Sequence, residues 1–225
     1  VDIIRAVYAT EITHIKRMTW LNNGSGWVND TNALNNWLPP HCNPFVGEFV
    51  DGCFVAENGN DRGVRLADVN GDGLVDIVRA TGFNIVGYPY ARTWINSGSG
   101  WIVDSKWAIS DCWNDDKNAC FVNVNGLDNG VRLADINGDG LPDLLSARDI
   151  VFPPDNPINI VWLNNGSGWT RDNNWKVPDC YRIDNDNKNN TGCFVNSNNY
   201  DNGIRIVDIN GDGLPDLVKA LKLQG

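Results

Sequence analysis

The chain is short of several things that would identify a function. Its 225 residues hold two histidines (His14 and His41), one methionine and three glutamates (Glu11, Glu48 and Glu57). With so few histidines, a zinc site would need closely spaced cysteines, and no CxxC pattern occurs. No Ser/His/Asp or Cys/His set, phosphate loop or zinc spacing is present, so the chain is not expected to be an enzyme. Basic residues number 18 against 28 acidic ones, giving a formal charge of −10. That balance disfavours nucleic acid and makes cations the natural partners. No apolar run is long enough to span a bilayer as a helix. The opening VDIIRA has neither the basic nor the apolar region of a signal peptide, and it lacks an initiating Met. It reads as a mature or excised piece of something longer.

What is abundant is arranged in repeats. The nonapeptide DVNGDGLVD at 68–76 recurs as DINGDGLPD at 135–143 and 208–216, and Val1-Asp2 reads as the tail of a fourth copy. Aligned on Asp2, Asp76, Asp143 and Asp216, the spacings are 74, 67 and 73 residues. Each unit opens with DIIRA, DIVRA or DLLSA and continues with TWLNNGSGW, TWINSGSGW or VWLNNGSGW. It then reaches a further Trp and a stretch ending in CFV, and closes with DRGVRLAD, DNGVRLAD or DNGIRIVD. The repeats are expected at 1–74, 75–141 and 142–214, with 215–225 supplying the first strand of another.

The runs are short, rich in Val and Ile, and bounded by Gly, Asn and Asp. That pattern predicts an all-β fold of three four-stranded antiparallel, blade-like repeats. The expected strands are GVRLA, DIVRA, TWIN and one around CFV. Such units form a β-propeller, part of one, or an open stacked array. Three are too few for an ordinary propeller of about four to eight blades. The chain is therefore expected to belong to a longer propeller, an oligomer or a filament.

In the nonapeptide, positions 1, 3, 5 and 9 carry short oxygen-bearing side chains, and position 6 is a glycine that permits a sharp turn. Calcium takes six to eight oxygens in such loops. The expected ligands are Asp68, Asn70, Asp72 and Asp76; Asp135, Asn137, Asp139 and Asp143; and Asp208, Asn210, Asp212 and Asp216. The carbonyls of Leu74, Leu141 and Leu214 would join them, giving about three Ca²⁺ per chain. Three carboxylates in one tight turn repel one another unless a cation lies between them. An EF-hand would need Glu at position 12, where Arg79, Ser146 and Lys219 stand instead. The ions are expected to staple a hairpin rather than to sense calcium.

DxNGDGxxD between a GVRLA strand and a DIV strand resembles the FG-GAP/VCBS repeat. That family is known from integrin α-subunit propellers, from some lectins, and from the propeller shells of bacterial toxin complexes. The WLNNGSGW element looks most like the toxin-shell branch. The resemblance implies propeller blades, each with Ca²⁺ in the loop joining its first two strands.

Six cysteines fall in three close pairs, Cys42 and Cys53, Cys112 and Cys120, and Cys180 and Cys193, one pair per unit. Local disulfides are the economical reading, and they imply an oxidising, extracellular or cell-surface setting. Asn23, Asn29, Asn165 and Asn189 lie in glycosylation sequons. Trp20, Trp94 and Trp162 recur in register, as do Trp27, Trp101 and Trp169, and then Trp37, Trp107 and Trp175. Ordered recurrence points to packing between units. Trp113 stands in one unit only and is the better candidate for a ligand contact, a glycan being the alternative partner. Arg65, Arg132 and Arg205 recur with two readings open, an ion pair to a neighbouring unit or a solvated position. The expected function is a calcium-stabilised structural or adhesive module. A glycan-binding lectin and a toxin-shell propeller are the alternatives.

Overall fold

The computed structural model describes residues 1–8, 16–30, 37–40, 42, 52–82, 90–112, 118–150, 157–181 and 192–221. His14, His41, Trp113 and Asn189 lie outside the described residues. Fourteen strands form four sheets, and no α-helix occurs among the described residues.

The first sheet holds β1 (Ile3–Tyr8), β2 (Lys16–Asn22), β3 (Trp27–Asn29) and β4 (Val55–Ala56), in the order β3-β2-β1-β4. The second holds β5 (Val64–Ala67), β6 (Asp76–Thr81), β7 (Tyr90–Asn96) and β8 (Trp101–Val103) in simple sequence. The third repeats that plan with β9 (Val131–Ala134), β10 (Asp143–Arg148), β11 (Ile158–Asn164) and β12 (Trp169–Asp172). The fourth has two strands, β13 (Ile204–Val207) and β14 (Asp216–Lys219).

Two details differ from the sequence expectation. The fourth strand is the segment after the GSG turn, as in β8 and β12, and not the CFV segment. CFV makes a single parallel bridge in the second and third sheets, Thr81 to Val122 and Arg148 to Val195. In the first sheet it lengthens to β4, which pairs in parallel with β1 and makes that sheet mixed. The physical reason lies in the turn: Ser97 N–H donates to the Gly100 carbonyl and folds Trp101 straight back onto β7. The second, third and fourth sheets also straddle a repeat boundary, since each holds the two strands joined by a nonapeptide.

The sheets pack face to face in chain order. The alternation of β5 and β6 sends Val64, Ile77 and Trp94 toward the first sheet, where Phe54 packs on them. It sends Ala67, Val78 and Ala80 toward the third, into a cluster with Val131, Leu144 and Trp162. Leu145, Ala147 and Val161 then face Ile204 and Ile206 of the fourth sheet. Sheets covered on both sides have strands buried throughout, as β6 is. By contrast β14 alternates between half-buried and exposed.

The three disulfides join the expected pairs, Cys42–Cys53, Cys112–Cys120 and Cys180–Cys193. All six cysteines are buried. Closing loops of this length contributes about 2–3 kcal/mol each.

Candidate metal centre

The three nonapeptides share one network. Asp68 Oδ1 accepts from the backbone N–H groups of Gly71 and Asp72 at 2.8 and 3.2 Å, and its Oδ2 from Gly73 at 2.7 Å. Asn70 Oδ1 accepts from Asp72 N–H at 3.1 Å, while its amide donates to Asp72 Oδ2 at 2.9 Å. Asp72 Oδ1 accepts from Leu74 N–H at 2.8 Å. The same bonds recur around Asp135, Asn137 and Asp139, and around Asp208, Asn210 and Asp212. Gly73, Gly140 and Gly213 at position 6 have φ of 84°, 88° and 87°, a region that favours glycine.

The ninth residue ties the loop to the rest of its sheet. Asp76 Oδ2 accepts from Val69 N–H at 2.9 Å and its Oδ1 from Asn96 N–H at 2.8 Å. Asp143 does the same with Ile136 and Asn164, at 3.0 and 2.8 Å. Asp2 accepts from Asn22 N–H at 2.7 Å, the matching bond of the partial copy. Asp76 and Asp143 are buried. Burial pushes both carboxyls above their usual range, the two backbone bonds oppose this, and repulsion from Asp72 with Asp68, or Asp139 with Asp135, adds to it. The exposed Asp208 is instead held low, first by the bond from Gly213 N–H.

Among the described residues, no three His, Cys, Asp or Glu side chains are gathered as a ready-made metal cage. The loop carboxylates are turned onto backbone N–H groups. Asp68 Oδ2, Asn70 Oδ1 and both oxygens of Asp72 each accept one bond and retain a further lone pair, and a set made of Asp, Asn and a backbone carbonyl suits a hard cation.

The loops touch one another along one rim. Leu141 lies against Gly71 of the preceding loop, and Leu214 against Gly138, so closely that a Cβ on either glycine would sit 2.8 Å from the leucine. Asn164 Nδ2 donates to the Val69 carbonyl of the first loop at 2.8 Å, across two sheets.

The arginine question resolves into a local pair. Arg65 meets Asp61 at 2.9 Å, Arg132 meets Asp128 at 2.7 Å, and Arg205 meets Asp201 at 2.9 Å, each four residues apart. The guanidinium of Arg65 also lies 5.2 Å from the Phe121 ring, and that of Arg132 lies 5.3 Å from Phe194. Tryptophans pair between units: Trp37 is edge-on to Trp101 at 6.0 Å, and Trp107 to Trp169 at 6.2 Å.

Asn23, Asn29 and Asn165 of the sequons are exposed. Tyr181, exposed, follows the first cysteine of its pair as Trp113 follows Cys112. Alignment on the cysteines instead of the tryptophans finds this aromatic. It lines an open cleft of about 760 Å³ with Pro157, Lys176 and Asp179.

A scan against protein-family models finds no match. Searches of the curated proteins and of the solved structures also find none.

Proposed function

We infer that this chain is a calcium-stapled structural or adhesive module of the FG-GAP/VCBS kind, its sheets acting as propeller-type blades in an oxidising, extracellular setting. The observation that carries this reading is the threefold identity of the loop network together with the mutual repulsion of its carboxylates. A cation held by Asp68, Asn70, Asp72 and Asp76, and by their counterparts in the other two loops, would offset that repulsion. It would lock the turn joining β5 to β6, β9 to β10 and β13 to β14. No step of chemistry is required of it. Three ions would move the formal charge from −10 to −4. The three disulfides support the oxidising compartment.

Calcium titration of chelator-stripped protein by calorimetry tests the reading. About three sites per chain are expected, with Kd values of roughly 10⁻⁴–10⁻³ M, as in extracellular modules. Asp72→Ala, Asp139→Ala and Asp212→Ala should each remove one. No uptake, or uptake untouched by these changes, would overturn it.

One observation favours glycan binding as a second reading: the exposed Tyr181 ring beside Lys176 and Asp179 in an open cleft. Aromatic faces of this kind stack on sugars. Loss of glycan-array signal in Tyr181→Ala would support that reading, and an array without signal would remove it.

A further inference from the structure

We propose that the loops at 68–76 and 135–143 bind calcium as a coupled pair, with Asn164 and Leu141 as the positioning residues that join them. The proposal rests on the calcium reading of these loops and adds to it: a cation in either loop raises the affinity of the other. Both loops belong to four-stranded sheets that pack on each other.

The first link is a chain of hydrogen bonds. Asp143, the ninth residue of the second loop, accepts from Ile136 N–H at 3.0 Å and from Asn164 N–H at 2.8 Å. The Asn164 side chain then donates to the Val69 carbonyl at 2.8 Å. Its Oδ1 accepts from Gly166 N–H at 3.0 Å, which fixes the amide with Nδ2 toward Val69. Val69 stands between Asp68 and Asn70, two expected ligands of the first loop. Val69, Asp143 and Asn164 are all buried. A buried, satisfied path of this kind is stiff, because water cannot replace its members.

The second link is the Leu141 side chain. The Leu141 carbonyl is an expected ligand of the second loop, while its two methyls reach other segments. A Cβ on Gly71 would stand 2.8 Å from Leu141 Cδ2, and one on Gly166 would stand 3.9 Å from Leu141 Cδ1. Gly71 lies between Asn70 and Asp72, so the leucine presses on the part of the first loop that carries two ligands. Only a residue without a Cβ admits so close an approach. The contact recurs between Leu214 and Gly138.

These links carry order from one loop to the other. Without a cation, Asp68, Asp72 and Asp76 repel one another, as do Asp135, Asp139 and Asp143. The empty loops are therefore the looser state. Filling the second loop would fix Asp143 and the Leu141 carbonyl, and through them Asn164 and the leucine methyls. The Val69 carbonyl and Gly71 are then held in place before the first loop fills. Part of that loop's ordering cost is met in advance, which is positive coupling. Linkage makes the effect reciprocal. Repulsion between the two bound charges acts the other way. Gly71 to Val75 and Asn137 to Gly140 are exposed, so salt screens that repulsion beyond about 8 Å at physiological ionic strength. The buried links are not weakened in this way.

The test is a calcium titration of the full chain carrying Asp212→Ala, which leaves the first two loops to fill. Two-dimensional NMR follows the Gly73 amide in the first loop and the Gly140 amide in the second. Adding Asp139→Ala removes the second site, and adding Asp72→Ala instead removes the first. The calcium midpoint at Gly73 should rise by about fivefold or more when the second site is removed. The midpoint at Gly140 should rise by the same factor when the first is removed. In Leu141→Ala the rise at Gly73 should shrink to about twofold or less, because one of the two links is gone. Asn164→Ala should shrink it likewise; if lost stability keeps that variant from folding, Leu141→Ala, whose side chain is half-buried, decides alone. A merely structural role would move both midpoints together and leave their ratio unchanged. Equal midpoints with and without the neighbouring site would overturn the coupling and leave the calcium sites standing. So would a rise that persists undiminished in Leu141→Ala. No calcium-dependent shift at either glycine would overturn the calcium reading itself, and the coupling with it.

Discussion

Asn96 and Asn164 hold the same place in the same motif, yet their truncation should cost very different amounts. Asn164 is buried, and its amide donates to the Val69 carbonyl at 2.8 Å, 95 residues away. Its Oδ1 also accepts from Gly166 N–H at 3.0 Å. Asn164→Ala removes both bonds, each worth about 0.5–1.5 kcal/mol. It also strands a buried carbonyl, at about 1–3 kcal/mol. The expected loss is therefore about 2–6 kcal/mol. For a chain of this size each kcal/mol lowers Tm by roughly 2–4 °C, so a fall of about 4–24 °C is expected. The Asn96 amide makes only an exposed 3.3 Å contact with Val75, although its Oδ1 keeps the turn bond to Gly98. Asn96→Ala should cost about 1 kcal/mol. Thermal and urea denaturation of the two variants in parallel measures the difference. Equal losses would refute the account, because they would mean that the contact between the first loop and the third sheet carries no stability.

Arg132→Ala loses the half-buried bond to Asp128 and the stack on Phe194, and should cost about 1–2 kcal/mol by denaturation. Arg205→Ala, with an exposed pair and no ring, should lie within about 0.5 kcal/mol of the parent. A pH series on calcium-free protein tests the carboxylates. Asp76 and Asp143 have raised folded values, so the folded state takes up protons first and gains stability as pH falls toward the ordinary value of 3.8. Asp172, Asp201 and Asp208 have lowered values and lose their contribution as pH falls below it. These groups together place a stability maximum near that value. A monotonic decline from neutral pH downward would contradict the assignment.

Much of the arrangement was legible in the residues. The threefold motif, its hairpin role and the local disulfides follow from spacing and from turn chemistry that acts over a few residues. Position 6 needed glycine, and its positive φ bears that out. The fourth strand was misplaced because CFV and WIV have equal strand propensity. The choice between them depends on where a four-residue turn returns the chain. The sharing of the second, third and fourth sheets between successive repeats was hidden for a similar reason, since a sequence repeat has no marked start. The Asn164–Val69 bond and the arginine stacks join residues far apart in the chain, and no local pattern reports such distances. Tyr181 was missed because its loop was aligned on tryptophan.

The most direct test of the central claim is a pair of melting curves, one in millimolar calcium and one in excess EDTA. Saturating a site at 100 times its Kd adds about 2.7 kcal/mol. At about 10 times the Kd the same relation still gives roughly 1.4 kcal/mol per loop, so three loops should raise Tm by about 8–16 °C. Coincident curves, with no metal carried through purification, would contradict the calcium staple.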